Sequence, residues 1–186
     1  MRFAAAMLLA ICALAASGQK NIWEGVSAEY DPPKLDTANL THAQKEAVAS
    51  LLRKTGATGG WDCGGDQLND LIAGLQISEF PAGAGKKVVL VEAGEGCARG
   101  GQGSNGAMWL VSLDGGKPRI VASPKDGFSG WIFKIRAREP YPDVVLGWHM
   151  GADESYLNYL RFDGKRYRVL GHGALEGDSD KIIPKD

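Results

Sequence analysis

Residue types that build metal centres and nucleophilic sites are scarce in this chain. Among its 186 residues there are only three cysteines and three histidines. No C-x-x-C or H-x-x-x-H pair occurs, although a zinc site needs three or four closely spaced ligands. No serine stands at the centre of a G-x-S-x-G elbow, the motif of α/β-hydrolases. The sequence therefore predicts no metal and no cofactor.

An excess of one charge is missing as well. The chain has 21 Lys and Arg residues against 22 Asp and Glu residues, a formal net charge of -1. Nucleic-acid-binding domains are usually basic, so the composition argues against a nucleic-acid partner. Hydrophobic residues make up 44% of the chain and charged residues 23%. These fractions are ordinary for a globular protein, and the length suits one domain.

The first seventeen residues have the pattern of a secretory signal peptide. Arg2 precedes an uncharged apolar stretch over residues 3–16, which ends in small residues of the A-x-A type. A membrane-spanning helix needs about 20 apolar residues, and no later run approaches that length. Lipid attachment at Cys12 would need a small residue before it, where Ile11 stands. We expect a periplasmic or secreted protein, cleaved near residues 15–18, with no membrane span.

Two cysteines remain after the signal peptide, Cys63 and Cys97. In an exported chain such a pair is typical of a disulfide bond. In the chain-entropy model, a disulfide that closes the loop between Cys63 and Cys97 stabilises the fold by about 3.5 kcal/mol.

One helix and a series of strands are predicted for the mature chain. Residues 18–39 show no periodicity and are read as an extended arm. The Thr41-x-x-Gln44 capping box and the apolar stripe behind it predict an amphipathic helix over residues 42–55. A single domain then covers residues 40–177, and the charged tail at 178–186 is expected to fray.

The fold class is α+β, mainly an antiparallel sheet of about seven or eight strands, as a sandwich or open barrel, with one N-terminal helix. Apolar runs and alternations bounded by turn residues support this class, and no βαβ alternation occurs. Asp163-Gly164 is typical of a tight hairpin turn. The predicted strands are residues 75–80, 88–93, 108–113, 119–122, 131–136, 144–148, 156–162 and 166–170.

A glycine-rich segment over residues 94–106 matches the dinucleotide pattern G-x-G-x-x-G. That pattern requires a helix directly after it, but strand-like residues follow here. We therefore interpret the segment as a connection that can serve as a binding loop, with Arg99, Ser104 and Asn105 as candidate contacts.

A histidine beside two carboxylates suggests an alternative, catalytic function. His149 ends an apolar strand, and Asp153 and Glu154 follow closely. Such groups can act as a general acid and base if they converge.

Basic residues concentrate in the C-terminal strands, where Arg138 and Arg161 also lie. Lys134 and Arg136 are two positions apart, as are Arg166 and Arg168, so each pair should point to one face of a strand. If the two strands are neighbours, the four cations form a basic stripe that suits an anionic partner.

Two segments resemble known families. The stretch Tyr141-Pro142-Asp143 with residues 144–147 resembles the Y-P-D-L-V-V-G core of FG-GAP propeller repeats, without their acidic calcium loop. Residues 96–109 resemble a G-C-x-G-N-x-x-W element of secreted bacterial proteins of unknown function. Residues 159–167 are similar to the Y-x-x-F-D-G-K-x-Y hairpin of the same proteins. The resemblance implies a secreted bacterial β domain and no particular activity.

Two functions follow from these observations. The first is an exported, non-catalytic binding domain of the bacterial envelope, with a protein or an anionic polysaccharide as partner. A special case is an inhibitor of a lysozyme-type hydrolase, with residues 94–106 as the inserted loop. The alternative is a secreted hydrolase that uses His149 with Asp153 or Glu154.

Overall fold

The computed structural model describes residues 21–55, 66–83, 85–94, 105–151, 154–176 and 181–185. These residues form two α-helices, two short 3-10 helices and one sheet of nine strands, all paired antiparallel. The elements are α1 (His42–Thr55), α2 (Asp66–Ala73), β1 (Leu75–Glu79), β2 (Val88–Ala93), β3 (Gly106–Ser112), β4 (Arg119–Ala122), β5 (Ser129–Arg136), β6 (Asp143–His149), β7 (Glu154–Phe162), β8 (Tyr167–Glu176) and β9 (Ile183–Lys185). The predicted α+β class with a dominant antiparallel sheet is confirmed.

The sheet is made of two halves that share a very short seam. The strand order is β1-β2-β3-β5-β6-β7-β8-β9, with β4 also paired to β3. Only Gly106 and Ala107 of β3 pair with β5, opposite Gly130 and Ser129. Because so few pairs join them, the halves β1–β4 and β5–β9 can pack face to face. Apolar residues from both halves meet in one central cluster, among them Leu90, Leu110, Leu146 and Leu160.

Each half-sheet also buries part of its outer face. Val89 and Val91 of β2 pack beneath α1 and α2, while Val88 and Leu90 face the central cluster. Cover on both sides explains why β2 is almost wholly apolar, as expected of a strand buried on both faces. On the other half, a third cluster brings together Trp23, Phe133, Val145, Leu157 and Tyr159.

The helix α1 begins and ends where the sequence predicts. The Gln44 side chain accepts a hydrogen bond from the Thr41 amide at 3.0 Å, and Thr41 Oγ1 accepts one from the Gln44 amide at 3.3 Å. Val48 and Leu52 are buried against the sheet, and Leu51 is partly buried beside them. None of the helices in the described residues is long and apolar enough to cross a membrane.

Three elements differ from the sequence prediction. The eight-residue helix α2 was not expected, because so short a segment shows little periodicity; its Leu71 and Ile72 are buried. Strand β8 continues to Glu176 rather than ending at residue 170, after a register shift that leaves Leu170 unpaired. The C-terminal tail was expected to fray, but Ile183–Lys185 pairs with β8. Backbone hydrogen bonds make this pairing, so it does not require an apolar pattern.

The N-terminal arm is part of the folded core. Trp23 is 7% exposed, and its ring meets Tyr159 edge-on with centroids 5.7 Å apart. A Cβ atom on Gly173 of β8 would lie 3.0 Å from the Trp23 ring and 2.8 Å from Ile182. Glycine at this position therefore leaves room for the indole. Further along, Thr37 bridges to Ser78 of β1, so the arm crosses both half-sheets.

Truncating Trp23 should destabilise the whole domain. Trp23→Ala is expected to lower the free energy of unfolding by about 3–5 kcal/mol, because a large buried aromatic side chain is removed. The exposed Glu29 of the same arm provides the control, and Glu29→Ala should change stability by no more than about 0.5 kcal/mol. Chemical denaturation measures both, and equal stability of the two variants would show that the arm does not contribute to the core.

Candidate functional site

A row of charged residues crosses the outer face of the second half-sheet. Arg136 of β5 lies opposite Asp143 of β6, and Arg161 of β7 lies opposite Arg168 of β8. Arg161 in turn reaches Asp143 with its side chain. Neighbouring strands are about 5 Å apart, so these four charged residues follow one another across strands β5 to β8. We call Arg136, Asp143, Arg161 and Arg168 the arginine row.

Two β-bulges set the register of this row. In β5 the pairing shifts between Ile132 and Lys134. Without that shift Ile135, not Arg136, would lie opposite Asp143. The second shift, which leaves Leu170 of β8 unpaired, likewise brings Arg161 opposite Arg168. Each bulge inserts one residue and so moves every later side chain along by one place.

Asp143 is the buried centre of the row. Its side chain is 6% exposed, and it accepts hydrogen bonds from the Tyr159 hydroxyl at 2.8 Å and from Arg161 Nε and Nη2 at 2.9 and 2.7 Å. Arg138 Nε lies farther away, 3.9 Å from Oδ1. The Arg161 contact is bidentate, the strongest geometry for a guanidinium and a carboxylate.

These contacts determine the protonation of the group. Burial would raise the pKa of Asp143, but the hydrogen bonds from Arg161 and Tyr159 and the charges of Arg161 and Arg138 outweigh it and lower the pKa below 3.8. Burial and the bond to Asp143 raise the pKa of the Tyr159 hydroxyl. The hydrogen bond to Asp143 raises the pKa of Arg161. At neutral pH the centre therefore contains an ionised carboxylate, a neutral phenol and charged guanidinium groups.

A cavity of about 430 Å³ opens beside Asp143. The arm forms one wall with Asn21, Ile22 and Glu24, and the sheet forms the other. Arg136 links the two walls, because its Nη1 donates to the Ile22 carbonyl at 3.4 Å and to the Tyr159 hydroxyl at 3.3 Å. We call this cavity the arginine pocket; its charged lining residues are Glu24, Arg136, Arg138, Asp143 and Arg161.

The predicted basic stripe forms only in part. Strands β5 and β8 are not neighbours, since β6 and β7 lie between them, and the connection runs through Asp143 and Arg161. Arg168 pairs with Asp163 at 3.0 Å. Arg166 lies outside β8 and pairs with Asp126 at 3.3 Å. Lys134 is half-buried two positions before Arg136 on the same strand, opposite Val145.

The predicted residues His149 and Asn105 meet, although for a structural purpose. The Asn105 side chain bonds to the His149 backbone twice, at 3.0 and 2.9 Å. The His149 ring stacks on Trp131, with centroids 5.1 Å apart, and its Nδ1 lies 3.1 Å from Ser155 Oγ. These contacts join the end of the glycine-rich segment to the end of β6.

The structure does not bring His149 and Glu154 together. Ser155 pairs with His149 across β6 and β7, and strand residues alternate between faces. Glu154 therefore lies on the opposite face from the imidazole. Asp153, Arg99, Ser104, Cys63 and Cys97 lie outside the described residues, so the disulfide and the contacts of the inserted loop stay predictions. Within the described ranges, no three His, Cys, Asp or Glu residues are grouped as metal ligands.

Asp143 and Tyr159 were not identified as site residues from the sequence. Asp143 belongs to the Y-P-D-V-V-L-G segment, which suggested a family resemblance but no charge network. Arg138 and Arg161 were visible only as members of a basic region. The missing information was the register of β5, β6 and β7, which bulges determine.

Acidification should weaken the fold partly through Asp143. A carboxyl group with a lowered folded-state pKa contributes stability above its unfolded pKa, about 3.9, and loses it as the pH falls through the folded value. Asp143→Asn should lower the free energy of unfolding at pH 7 by about 1–3 kcal/mol, because a charged partner of Arg161 is lost.

The difference between the two proteins should shrink as the pH falls below 4, where the wild-type group becomes protonated. Denaturation curves between pH 7 and pH 2 measure this. Asp114 and Asp163, whose pKa values are also lowered, are present in both proteins and cancel in the comparison. A difference that stays constant over this range would contradict the assignment.

Comparison of the chain with protein-family models, with curated proteins and with solved structures finds no significant match.

Proposed function

We propose that this chain is an exported, non-catalytic binding domain of the bacterial envelope that binds an anionic partner at the arginine pocket. Export rests on the signal-peptide pattern of residues 1–17. The observation that carries the binding function is the gathering of Arg136, Arg138 and Arg161 around one cavity. Arg161, which is 23 positions from Arg138 in the sequence, thus lines the same cavity as Arg136 and Arg138.

The arginines of the pocket keep donors for a ligand. A guanidinium has five N–H donors, and Arg161 uses Nε and Nη2 on Asp143. The two bonds of Arg136 are long, at 3.3 and 3.4 Å. Arg138 has a side chain 49% exposed and a distant 3.9 Å ion pair. Carboxylates and phosphates are the groups that such planar donors bind best.

The chemistry of the centre favours binding over catalysis. A general acid or base works best with a pKa near the operating pH. The pKa of Asp143 is lowered and that of Tyr159 is raised. Both pKa values are therefore shifted away from neutral pH, which is unfavourable for a general acid or base. Both groups are also engaged in hydrogen bonds with each other and with arginines. Asp143 therefore holds Arg161 in place, and its role is to position a donor.

An inhibitor of a lysozyme-type hydrolase is a special case of the binding domain, in which the loop over residues 94–106, and not the arginine pocket, would meet the anionic active site. Glycoside hydrolases present a pair of carboxylates in their active sites, which makes such an enzyme an anionic partner. The segment over residues 94–106, which would enter the active site, lies mostly outside the described residues.

Charge reversal tests the pocket against simple net charge. Arg138→Glu and Arg53→Glu change the net charge equally, but Arg53 lies on α1, away from the arginine pocket. Binding to immobilised poly-L-glutamate and polygalacturonate should weaken about tenfold, or ~1.4 kcal/mol, for Arg138→Glu. Arg53→Glu should have little effect.

Salt dependence provides the second readout. Affinity for these polymers should fall between 0.1 M and 1 M salt, because the Debye length shrinks from about 10 Å to about 3 Å. Equal weakening by both reversals would show that binding follows net charge and not the pocket. Absence of any binding at low salt would refute the proposed function.

A further inference from the structure

A second depression adjoins the arginine pocket. It has a volume of about 640 Å³ and lies between the arm, the end of β1 and the segment after β5. Ala137 and Arg138 line both cavities, so this short stretch of chain is the wall between them. A ligand that crosses residues 137–138 would occupy both at once.

The lining of the second depression is largely apolar. Leu35, Ala82 and Ile135 are partly buried against the central cluster, and Phe80 is buried within it. Its remaining apolar lining residues are Pro33, Pro81, Ala137 and Pro142. Apart from the buried Phe80 and Pro142, these side chains are at least partly exposed and offer a surface for an apolar group.

The charges of the two cavities differ in sign. In the arginine pocket, three arginines face the carboxylates of Asp143 and Glu24, which leaves one positive charge for a ligand to balance. Around the second depression, Lys34 stands against the carboxylates of Asp36, Glu79 and Glu139, which leaves two negative charges because Arg138, shared by both cavities, is already counted in the first. A polymer that carries a negative charge at every unit would be attracted at the first cavity and repelled at the second.

From this pairing we infer that the partner is a polypeptide segment. It places one carboxylate in the arginine pocket and a nearby apolar side chain in the second depression. The inference rests on the proposed function, in which the arginine pocket binds an anionic group. It favours a protein partner over an acidic polysaccharide. A peptide alternates charged and apolar side chains along an extended backbone, whereas a polyuronate repeats its charge.

Short fluorescent peptides of glycine and serine test this inference on the full mature chain. One set carries a single Glu and a single Leu at several spacings, a second replaces Leu by Ser, and a third replaces Glu by Gln. At the best spacing, the Glu/Leu peptide should bind about tenfold more tightly than the Glu/Ser peptide, as expected for burying part of a leucine side chain. The Gln/Leu peptide should also bind about tenfold more weakly than the Glu/Leu peptide.

A variant pair locates the apolar contact. Ala82→Glu places a carboxylate in the second depression and should remove the advantage of Leu over Ser, while Ala43→Glu on the exposed side of α1 should leave it unchanged. Retained binding of the Glu/Ser peptide by Ala82→Glu shows that this variant is folded and that its arginine pocket is intact.

The outcomes separate the two proposals. Equal affinity for the Glu/Leu and Glu/Ser peptides at every spacing would overturn the inference and leave the anion-binding function standing. Tighter binding of polygalacturonate per carboxylate than of the Glu/Leu peptide would also overturn it. If neither the peptides nor the polymers bind, the proposed function fails, and the inference fails with it.

Discussion

One buried carboxylate joins the parts of this molecule that carry its proposed function. Removing the charge of Asp143 from water is costly unless that charge is paired and hydrogen-bonded. The protein meets this demand with Tyr159 and Arg161 from the neighbouring strand. Tyr159 in turn contacts Arg136 and Trp23, which connects the charge network to the N-terminal arm.

The position of the arginine pocket follows from the way in which the two faces of the second half-sheet are covered. The first half-sheet covers its inner face, and the arm covers part of its outer face through Trp23. Where that cover ends, the strands change from apolar residues to the arginine row. The arginine pocket lies at the boundary between the arm and the arginine row. The cavity exists because the arm covers the outer face of this half-sheet only in part, and the residues beyond that cover are charged.

Much of the local structure follows directly from the sequence. The bounds of α1 follow from its capping box, and β2 and β4 coincide with the predicted segments, because capping and side-chain alternation depend on residues a few positions apart. Strand β9 and helix α2 were not predicted, because both are too short to show a periodic pattern of apolar residues. The N-terminal arm has no periodicity, so its sequence does not indicate that Trp23 is buried. The Trp23 ring is buried against Tyr159 and over Gly173, which are far away in the sequence.

The sequence by itself determined the class of the fold and the concentration of basic residues near the C-terminal strands. Tertiary structure decided which of those residues meet. The bulges in β5 and β8 move Arg136 opposite Asp143 and Arg168 opposite Arg161, while Arg166 turns to Asp126 outside the row. A bulge shifts register by one residue and depends on packing across strands. The meeting of Arg136, Arg138 and Arg161 in one cavity beside Asp143 is therefore a property of the sheet and not of any local segment of the chain.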